Sequence, residues 1–398
     1  MSRIIYLSRY PISPEGDGGY HRTYQLYYEL CQAFGKAQVD VLPLDSSVLS
    51  GNSDSQKTPT SGYLQEVRDR AKLLIEMVKR QASPFYVFQY LSKDAFPTLG
   101  SNHVVPRLYK EYLSGYGTPD VCLVEDPSFG DVLSINQEMG IRTIFCFQNI
   151  EAGDRNIGRI HNPDRLSIFL LNLSNELRLI QESSASLTIS KSEASFLGGL
   201  GLMVSYHPYL PVGEIYEYYC RIRRNRRRSV IDPNLFLLIG TSNHQPTGDG
   251  MKWFLGQAER NGLPENARIL VCGKGTESFQ HFENNVSGVT VKGWISQAEL
   301  EEILSRVNAV LIPQMTGFGA LTKVSEFACA GIPILVSAHP SYAIDLPLRV
   351  TVVQNEWCAW KEEMQVLMVS PFFEDDSTFD TWATKQPKTL VSVVNRLL

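Results

Sequence analysis

The sequence predicts an α/β protein built as two doubly wound parallel-sheet domains in tandem. Short apolar runs alternate with segments of helical periodicity, the pattern of a parallel sheet covered by helices. That alternation breaks in a charged stretch at 213–233 and then restarts. The chain of 398 residues is also too long for one ordinary core and suits two. Its 43% hydrophobic and 20% charged residues are those of a folded globular protein, and a net charge of −5 excludes the global basic field that nucleic acid attracts.

In the first half, Ile4–Leu7 is a strand, Pro11–Gly19 a loop, and Tyr20–Phe34 a helix striped by Leu26, Leu30 and Phe34. Gly18 and Gly19 suit close approach of a ligand or another domain. Arg22, one turn into the helix, could hold a phosphate or acidic group, or could be a solvated helix-face arginine. Val39–Leu42 is the next strand. The Ser- and Gly-rich stretch 46–62 reads as a surface loop, and Tyr63–Arg80 as a helix burying Val67, Leu73, Leu74 and Val78.

Val121–Val124 is a buried strand ending in Glu125 and Asp126. Acids at a strand's C-terminal end lie where open α/β sheets bind ligands, or are simply solvated. Thr143–Phe147 is a further strand, followed by Gln148, Asn149, Ile150 and Glu151. A helix over 166–183, a strand over 186–190 and a helix from Lys191 complete a domain over 1–212.

Residues 213–233 read as the interdomain connection. Their arginines at 221, 223, 224, 226, 227 and 228 suit an anionic membrane surface or substrate, or a solvated linker. The pattern restarts with strand Leu235–Ile239, a polar glycine loop over 240–250, helix Met251–Ala258 and strand Ile269–Cys272. Gly273-Lys274-Gly275 forms a tight turn, Val289–Val291 a strand, and Ser296 with Glu299 a capping box. This second domain spans 234–372. Residues 373–398 end in a helix, expected from Phe379 on, that packs back on the first domain.

From Leu311 to Ser337 the chain runs strand, glycine loop (Gly317, Phe318, Gly319), helix (Leu321–Cys329), then strand. Glycines that admit close backbone approach, followed by the positive end of a helix dipole, form an anion site. Lys323 there suits a phosphate, and Glu326, on the same face, suits a sugar or ribose hydroxyl. The alternative is an ordinary crossover helix with an exposed ion pair. Seven cysteines without CxxC spacing imply buried thiols in a reducing compartment. Met1 leads straight into a strand, and no apolar run of about 18 residues occurs, so the expectation is a cytoplasmic protein with no leader or spanning helix.

In order along the chain stand Gly18-Gly19 with Arg22, Asn149-x-Glu151 after a strand, and Ile189-Ser190 with Glu193. Gly240 with Ser242, Asn243 and His244, Gly273-x-Gly275 and Gly293-Trp294-Ile295 follow. The last is Gly317-x-Gly319 with Lys323-x-x-Glu326 and Gly331-x-Pro333. This series resembles the retaining nucleotide-sugar glycosyltransferases of group 1, or family 4, whose GT-B architecture joins two Rossmann-like domains across a cleft.

The resemblance implies a metal-independent glycosyltransferase that moves a sugar from a nucleoside diphosphate sugar to a hydroxyl acceptor with retention. It implies no separate cofactor. The base would lie near Gly273, Lys274, Trp294 and Ile295, and the diphosphate over Gly319, Ala320, Leu321 and Thr322. Lys323 would neutralise the phosphates or contact the sugar, and Glu326 would hold the ribose. A sugar, lipid-linked or other hydroxyl acceptor would dock around Gly18–Arg22 and Gln148–Glu151, with peripheral contact at the inner membrane face. A nucleotide-sugar epimerase and a non-catalytic glycan-binding protein use the same architecture.

Two positions depart from the family. Phe318 stands where many members carry a first glutamate, and Gln148 where the strand often ends in histidine. Glutamine still hydrogen-bonds a hydroxyl but carries no charge. His21 and His244 are the nearest histidines by motif position.

Overall fold

The computed structural model describes residues 3–44, 104–154, 163–347, 349–370 and 376–398. The loop and helix expected over 46–80 lie outside these. The chain divides into two compact units. Unit 1 holds the described residues up to Thr188, Glu193–His207 and Lys388–Leu398. Unit 2 holds Ile189–Ser192 and Pro208–Pro387.

Unit 1 is built on six described strands, β1 (Ile4–Ser8), β2 (Val39–Pro43), β3 (Val121–Val124), β4 (Arg142–Phe147), β5 (Ala185–Thr188) and β6 (Val204–Tyr206). They pair in parallel in the order β2-β1-β3-β4-β5-β6. Successive residues point to opposite faces, and both faces are covered, so the strands are apolar throughout. Ile5, Leu7, Cys122, Val124, Phe145 and Phe147 belong to one buried cluster, and Ile4, Tyr6, Val121, Leu123, Ile144 and Cys146 to the other. The described helices are α1 (Gly18–Phe34), α2 (Val104–Tyr116), α3 (Asp131–Met139), α4 (Glu151–Asp154), α5 (Pro163–Glu182) and α6 (Lys191–Gly199), the last shared with unit 2 at its first residues. Asp17 caps α1 by accepting from Gly19 N at 3.1 Å, which draws Gly18 and Gly19 into the first turn instead of the preceding loop.

Unit 2 repeats the plan with β7 (Asp232–Ile239), β8 (Arg268–Cys272), β9 (Val289–Gly293), β10 (Val307–Ile312), β11 (Ile334–Ser337) and β12 (Val350–Val353). The order β12-β11-β10-β7-β8-β9 is all parallel, the doubly wound arrangement whose switch point falls between β7 and β10. Its helices are α7 (Gly213–Arg228), α8 (Gln245–Asn261), α9 (Gln280–Asn285), α10 (Gln297–Arg306), α11 (Thr322–Cys329), α12 (Ala338–Ser341), α13 (Trp357–Val369) and α14 (Asp376–Thr384). The capping box at Ser296 and Glu299 is formed, with both reciprocal hydrogen bonds present.

Three segments differ from the expectation. The stretch 213–233, expected as the interdomain connection, is folded as α7 followed by the start of β7. Ile215, Tyr218, Tyr219, Ile222 and Arg226 recur at helical spacing and are buried. Arg226 Nη1 donates to Leu304 O at 2.6 Å and Val307 O at 2.7 Å, satisfying carbonyls at the end of α10. Arg221 pairs with Glu301 at 3.0 Å and Arg223 with Asp380 at 3.6 Å. Three of the six arginines are thus engaged within unit 2, while Arg224, Arg227 and Arg228 are exposed.

The C-terminal helix is two helices, α14 and α15 (Thr389–Leu397), because Pro387 between them lacks the N–H a continuous helix requires. Leu390, Val393 and Val394 of α15 join the cluster on the α1 face of unit 1. The stretch 240–250 turns helical at Gln245. Gly248 and Gly250 lie inside α8, where glycine serves close packing: an added Cβ would stand 2.2 Å from Ser242 O and 2.2 Å from Pro313 O respectively.

Gly250→Ala is therefore expected to cost several kcal/mol, on the order of 3, because backbone atoms cannot step aside. Gly256→Ala, whose added methyl finds only Arg260 Nη1 at 3.9 Å, should instead stabilise by about 0.5–1 kcal/mol through helix propensity. Thermal unfolding of the two variants checks the contrast; equal shifts would show that the close approach is not rigid.

Candidate functional site

In unit 2 the loops after β7 and β8 and the end of β9 are locked together through glycine backbone. Gly240 N donates to Cys272 O at 3.1 Å, Ser242 N to Lys274 O at 3.0 Å, and Gly273 N to Gly293 O at 2.8 Å. Gly273, at φ 123°, passes so close to Gly240 that a Cβ would lie 2.1 Å from its carbonyl oxygen. At Gly275, φ 82°, a Cβ would lie 2.6 Å from Ser242 Oγ. The structure thus brings Gly240, Ser242, Asn243, Gly273 and Lys274 together at the carboxyl ends of β7 and β8. Trp294 and Ile295 lie past β9; Trp294 N donates to Glu277 Oε1 at 3.0 Å while the residue is 70% exposed.

Helices α8 and α11 both begin at the switch point, after β7 and β10. Their cap residues, His244 and Leu321, make no side-chain capping bond, so first-turn N–H groups of both helices are left for a ligand. Behind them, His244 Nδ1 meets Thr247 Oγ1 at 3.0 Å, and Thr247 Oγ1 meets the buried Gln314 Oε1 at 3.2 Å. His339 Nε2 lies 2.8 Å from Gly317 O and ties down the loop that carries Gly317, Phe318 and Gly319. The Phe318 side chain is exposed.

Lys323, one residue into α11, has a single hydrogen-bond partner among the described residues, Ile239 O at 3.3 Å. Burial pushes its ammonium down to about 8, and the Glu326 carboxylate opposes that only in part. A partly buried cation with one neutral partner, beside two open helix N-termini, is complementary to a phosphate. Glu326 is 5% exposed, and its oxygens accept from Tyr209 OH at 3.0 Å and Tyr219 OH at 3.1 Å. Tyr219 on α7 and Tyr209 just before it thus hold the carboxylate in place.

In unit 1 the counterpart is the switch between β1 and β3. Glu125, at the end of β3, is 3% exposed and collects four donors: Thr23 Oγ1 at 2.6 Å, Gln148 Nε2 at 2.5 Å, Tyr6 OH at 3.0 Å and Arg9 N at 3.3 Å. Burial raises its pKa above the ordinary carboxylate range, although every one of these bonds opposes the shift. Asp126 and Glu151 both pair with Arg9 Nη1, at 2.9 and 2.5 Å. Neither acid ending β3 is a solvated strand-end group.

Gln148 Nε2 also reaches Gly19 O at 3.3 Å. A carboxylate and a carbonyl converge on that one atom, which identifies it as the NH₂ and directs Oε1 away as a hydrogen-bond acceptor. The loop after it is held from behind. Ile150 N donates to Glu193 at 3.1 Å, and Glu151 N and Ala152 N donate to Glu176 at 2.9 and 2.8 Å. Asn149 Oδ1 is buried without a partner among the described residues.

Arg22 is not at this edge. It is 1% exposed, with Nη1 on Gln25 Oε1 at 2.6 Å and Nη2 on His207 O at 2.8 Å, and burial lowers its pKa. The unit 1 face of α1 turns it into the core, so it cannot hold an external phosphate.

Sequence reasoning overlooked Arg9, Thr247 and Gln314. Arg9 follows a strand directly, a position in open α/β sheets that could have singled it out. Nothing local marks Thr247 or Gln314, since only the packing of α8 against the β10 loop joins them.

No protein-family model matches the sequence, and no curated protein does. The fold is that of the GT-B glycosyltransferases. Sucrose-phosphate synthase from Thermosynechococcus elongatus superposes with a TM-score of 0.61 at 15% identity, over 99% of this chain and 94% of that one. WaaG, a glycosyltransferase involved in lipopolysaccharide biosynthesis, gives 0.56 at 13%, over 99% and 98%. HepE from Anabaena, solved in complex with UDP, gives 0.60 at 8%, over 99% and 98%.

Proposed function

We propose that the protein is a glycosyltransferase that binds a nucleoside diphosphate sugar on unit 2 and passes the sugar to a hydroxyl acceptor held by unit 1. The observation that carries this is the switch point of sheet β12-β11-β10-β7-β8-β9. There, two helix N-termini without side-chain caps flank Lys323, a cation with one neutral partner among the described residues. Backbone N–H groups and a lysine supply the positive charge that a departing nucleoside diphosphate requires, so transfer proceeds without a divalent metal. In unit 1, Gln148 Oε1 is turned to receive a hydroxyl. HepE, of the same fold, has been solved with UDP-glucose, which supports a nucleotide sugar as the donor class.

Lys323 neutralises the diphosphate as charge develops on it. The likeness of the Gly317-x-Gly319 and Lys323-x-x-Glu326 motifs to those of the retaining family supports retention of configuration at the anomeric carbon. Among the described residues no helix is long and apolar enough to cross a membrane, and the acceptor is a sugar or another hydroxyl compound, free or lipid-linked.

The test is a thermal-shift panel with UDP, GDP, ADP, dTDP and CMP. A nucleotide at about 100 times its dissociation constant stabilises by roughly 2.7 kcal/mol. One nucleotide is expected to raise the midpoint, and its sugar conjugates then become the substrates to assay, with and without EDTA and with NMR of the product anomer. No shift with any nucleotide would overturn the proposal.

A further inference from the structure

The strands of unit 2 begin at the edge of the sheet opposite the switch-point loops. There α7 ends at Arg228 and α10 at Arg306, just ahead of β7 and β10. Arg224, Arg227 and Arg228 crowd the end of α7, and all three are exposed. They are not what closes the helix. Ser229 does that, its N–H donating to Asn225 O at 3.0 Å and Arg226 O at 3.2 Å and its hydroxyl to Asn225 O at 2.9 Å. Nor do they join α7 to α10, since Arg226 makes those buried contacts.

Beyond this run the surface turns apolar. Val230 is 88% exposed, and with Ser229, Ile231, Asp232, Pro233 and Arg306 it lines an open cavity of about 520 Å³. Asp232 is paired with Arg268 at the start of β8. Arg306 lies 3.8 Å from Glu302 and keeps 60% of its side chain exposed. The cavity therefore offers apolar walls beside an accessible guanidinium, next to three more.

We propose that this edge of unit 2 docks on an anionic phospholipid surface. Arg224, Arg227 and Arg228 lie against the phosphates, Arg306 takes one headgroup at the cavity, and Val230 enters the headgroup layer. The proposal goes beyond the glycosyltransferase reading and does not rest on it.

Charge and hydropathy together select a lipid over another polyanion. The chain as a whole carries −5, so a nucleic acid long enough to run past the arginines meets repulsion around them. The field of a bilayer acts within a Debye length of about 8 Å at physiological salt, so only the face laid against it counts. An exposed valine and apolar cavity walls gain from entering the interfacial layer, which a phosphodiester backbone does not offer them. Docking at this edge also leaves the loops at the carboxyl ends of the strands uncovered.

The experiment is sedimentation of the full chain with vesicles of phosphatidylcholine alone and of phosphatidylcholine mixed with phosphatidylglycerol. No nucleotide is involved, so a failure here is distinct from a failure of the nucleotide panel. The expected result is binding to the phosphatidylglycerol vesicles alone, lost in salt of about 1 M, where the Debye length shrinks to about 3 Å. Each arginine at such a surface is worth about five-fold in binding, so Arg224→Gln, Arg227→Gln and Arg228→Gln together should weaken it about 100-fold. Val230→Asp should weaken it with the arginines intact, and both variants should keep the wild-type thermal midpoint. Equal retention on the two vesicles, retention on neither, wild-type binding by either variant, or tighter binding to a duplex oligonucleotide would overturn the proposal. The comparison of the two vesicles uses the wild-type chain, so a poorly folding variant cannot obscure it.

Discussion

Lys323→Met is expected to make the nucleotide-free protein more stable and to abolish its nucleotide-dependent thermal shift. Burial lowers the lysine from 10.5 to about 8 in the folded protein. Between those values the unfolded chain binds more protons than the folded one, so stability rises with pH across that window and the buried charge is a cost below it. The difference corresponds to about 3 kcal/mol at most. Methionine keeps the length of the side chain, removes the charge, and gives up one hydrogen bond to Ile239 O, worth about 1 kcal/mol.

The net gain at pH 7 is about 1–2 kcal/mol, a rise of a few degrees, which shrinks as the pH approaches 10. In the wild type, a bound diphosphate restores the full charge, so nucleotide affinity should fall as pH rises through about 8. Differential scanning fluorimetry at pH 7 and 9.5, with and without the nucleotide found in the panel, measures all of this. A variant no more stable than wild type at pH 7, and still shifted by nucleotide, would remove Lys323 from the site.

The second large effect belongs to unit 1. Glu125→Ala should cost about 3–5 kcal/mol, because four donors lose a common buried acceptor. Gln148→Leu removes one of those donors and should cost about 1–3 kcal/mol, less than Glu125→Ala, yet lower sugar transfer by about 10- to 100-fold, the range for one hydrogen bond to a reacting group. The nucleotide-dependent shift, which belongs to unit 2, should survive both substitutions. Urea unfolding gives the first number, and nucleoside diphosphate release with the identified donor gives the second. Wild-type transfer by Gln148→Leu would show that its outward-facing Oε1 meets no substrate.

The two variants separate scaffold from contact. Glu125 is an anchor whose carboxylate never reaches the surface. Gln148 is what the anchor aims.

Much of this architecture was legible in the chain itself. The strands ending at Leu7, Val124, Phe147, Ile239, Cys272 and Ile312 announce themselves because a sheet covered on both faces requires near-continuous apolar runs. The Ser296–Glu299 capping box and the glycine-interrupted turn before α11 are equally local, since their hydrogen bonds and φ angles involve residues a few positions apart.

What a helix face meets is not local. Arg22, Arg226 and Glu326 look from the sequence like outward charges available to a ligand, yet each is buried and satisfied by partners 78 to 185 residues away: Leu304 O for Arg226, Tyr209 and Tyr219 for Glu326, His207 O for Arg22. Gly248 and Gly250 look like loop residues and are helical, because the demand for a missing side chain comes from Ser242 and Pro313 on other elements. Periodicity and caps decide which backbone forms. Only the packing of that backbone against its neighbours decides whether a charge faces a ligand or a tyrosine, since burying a charge is permitted wherever tertiary partners replace the water it loses.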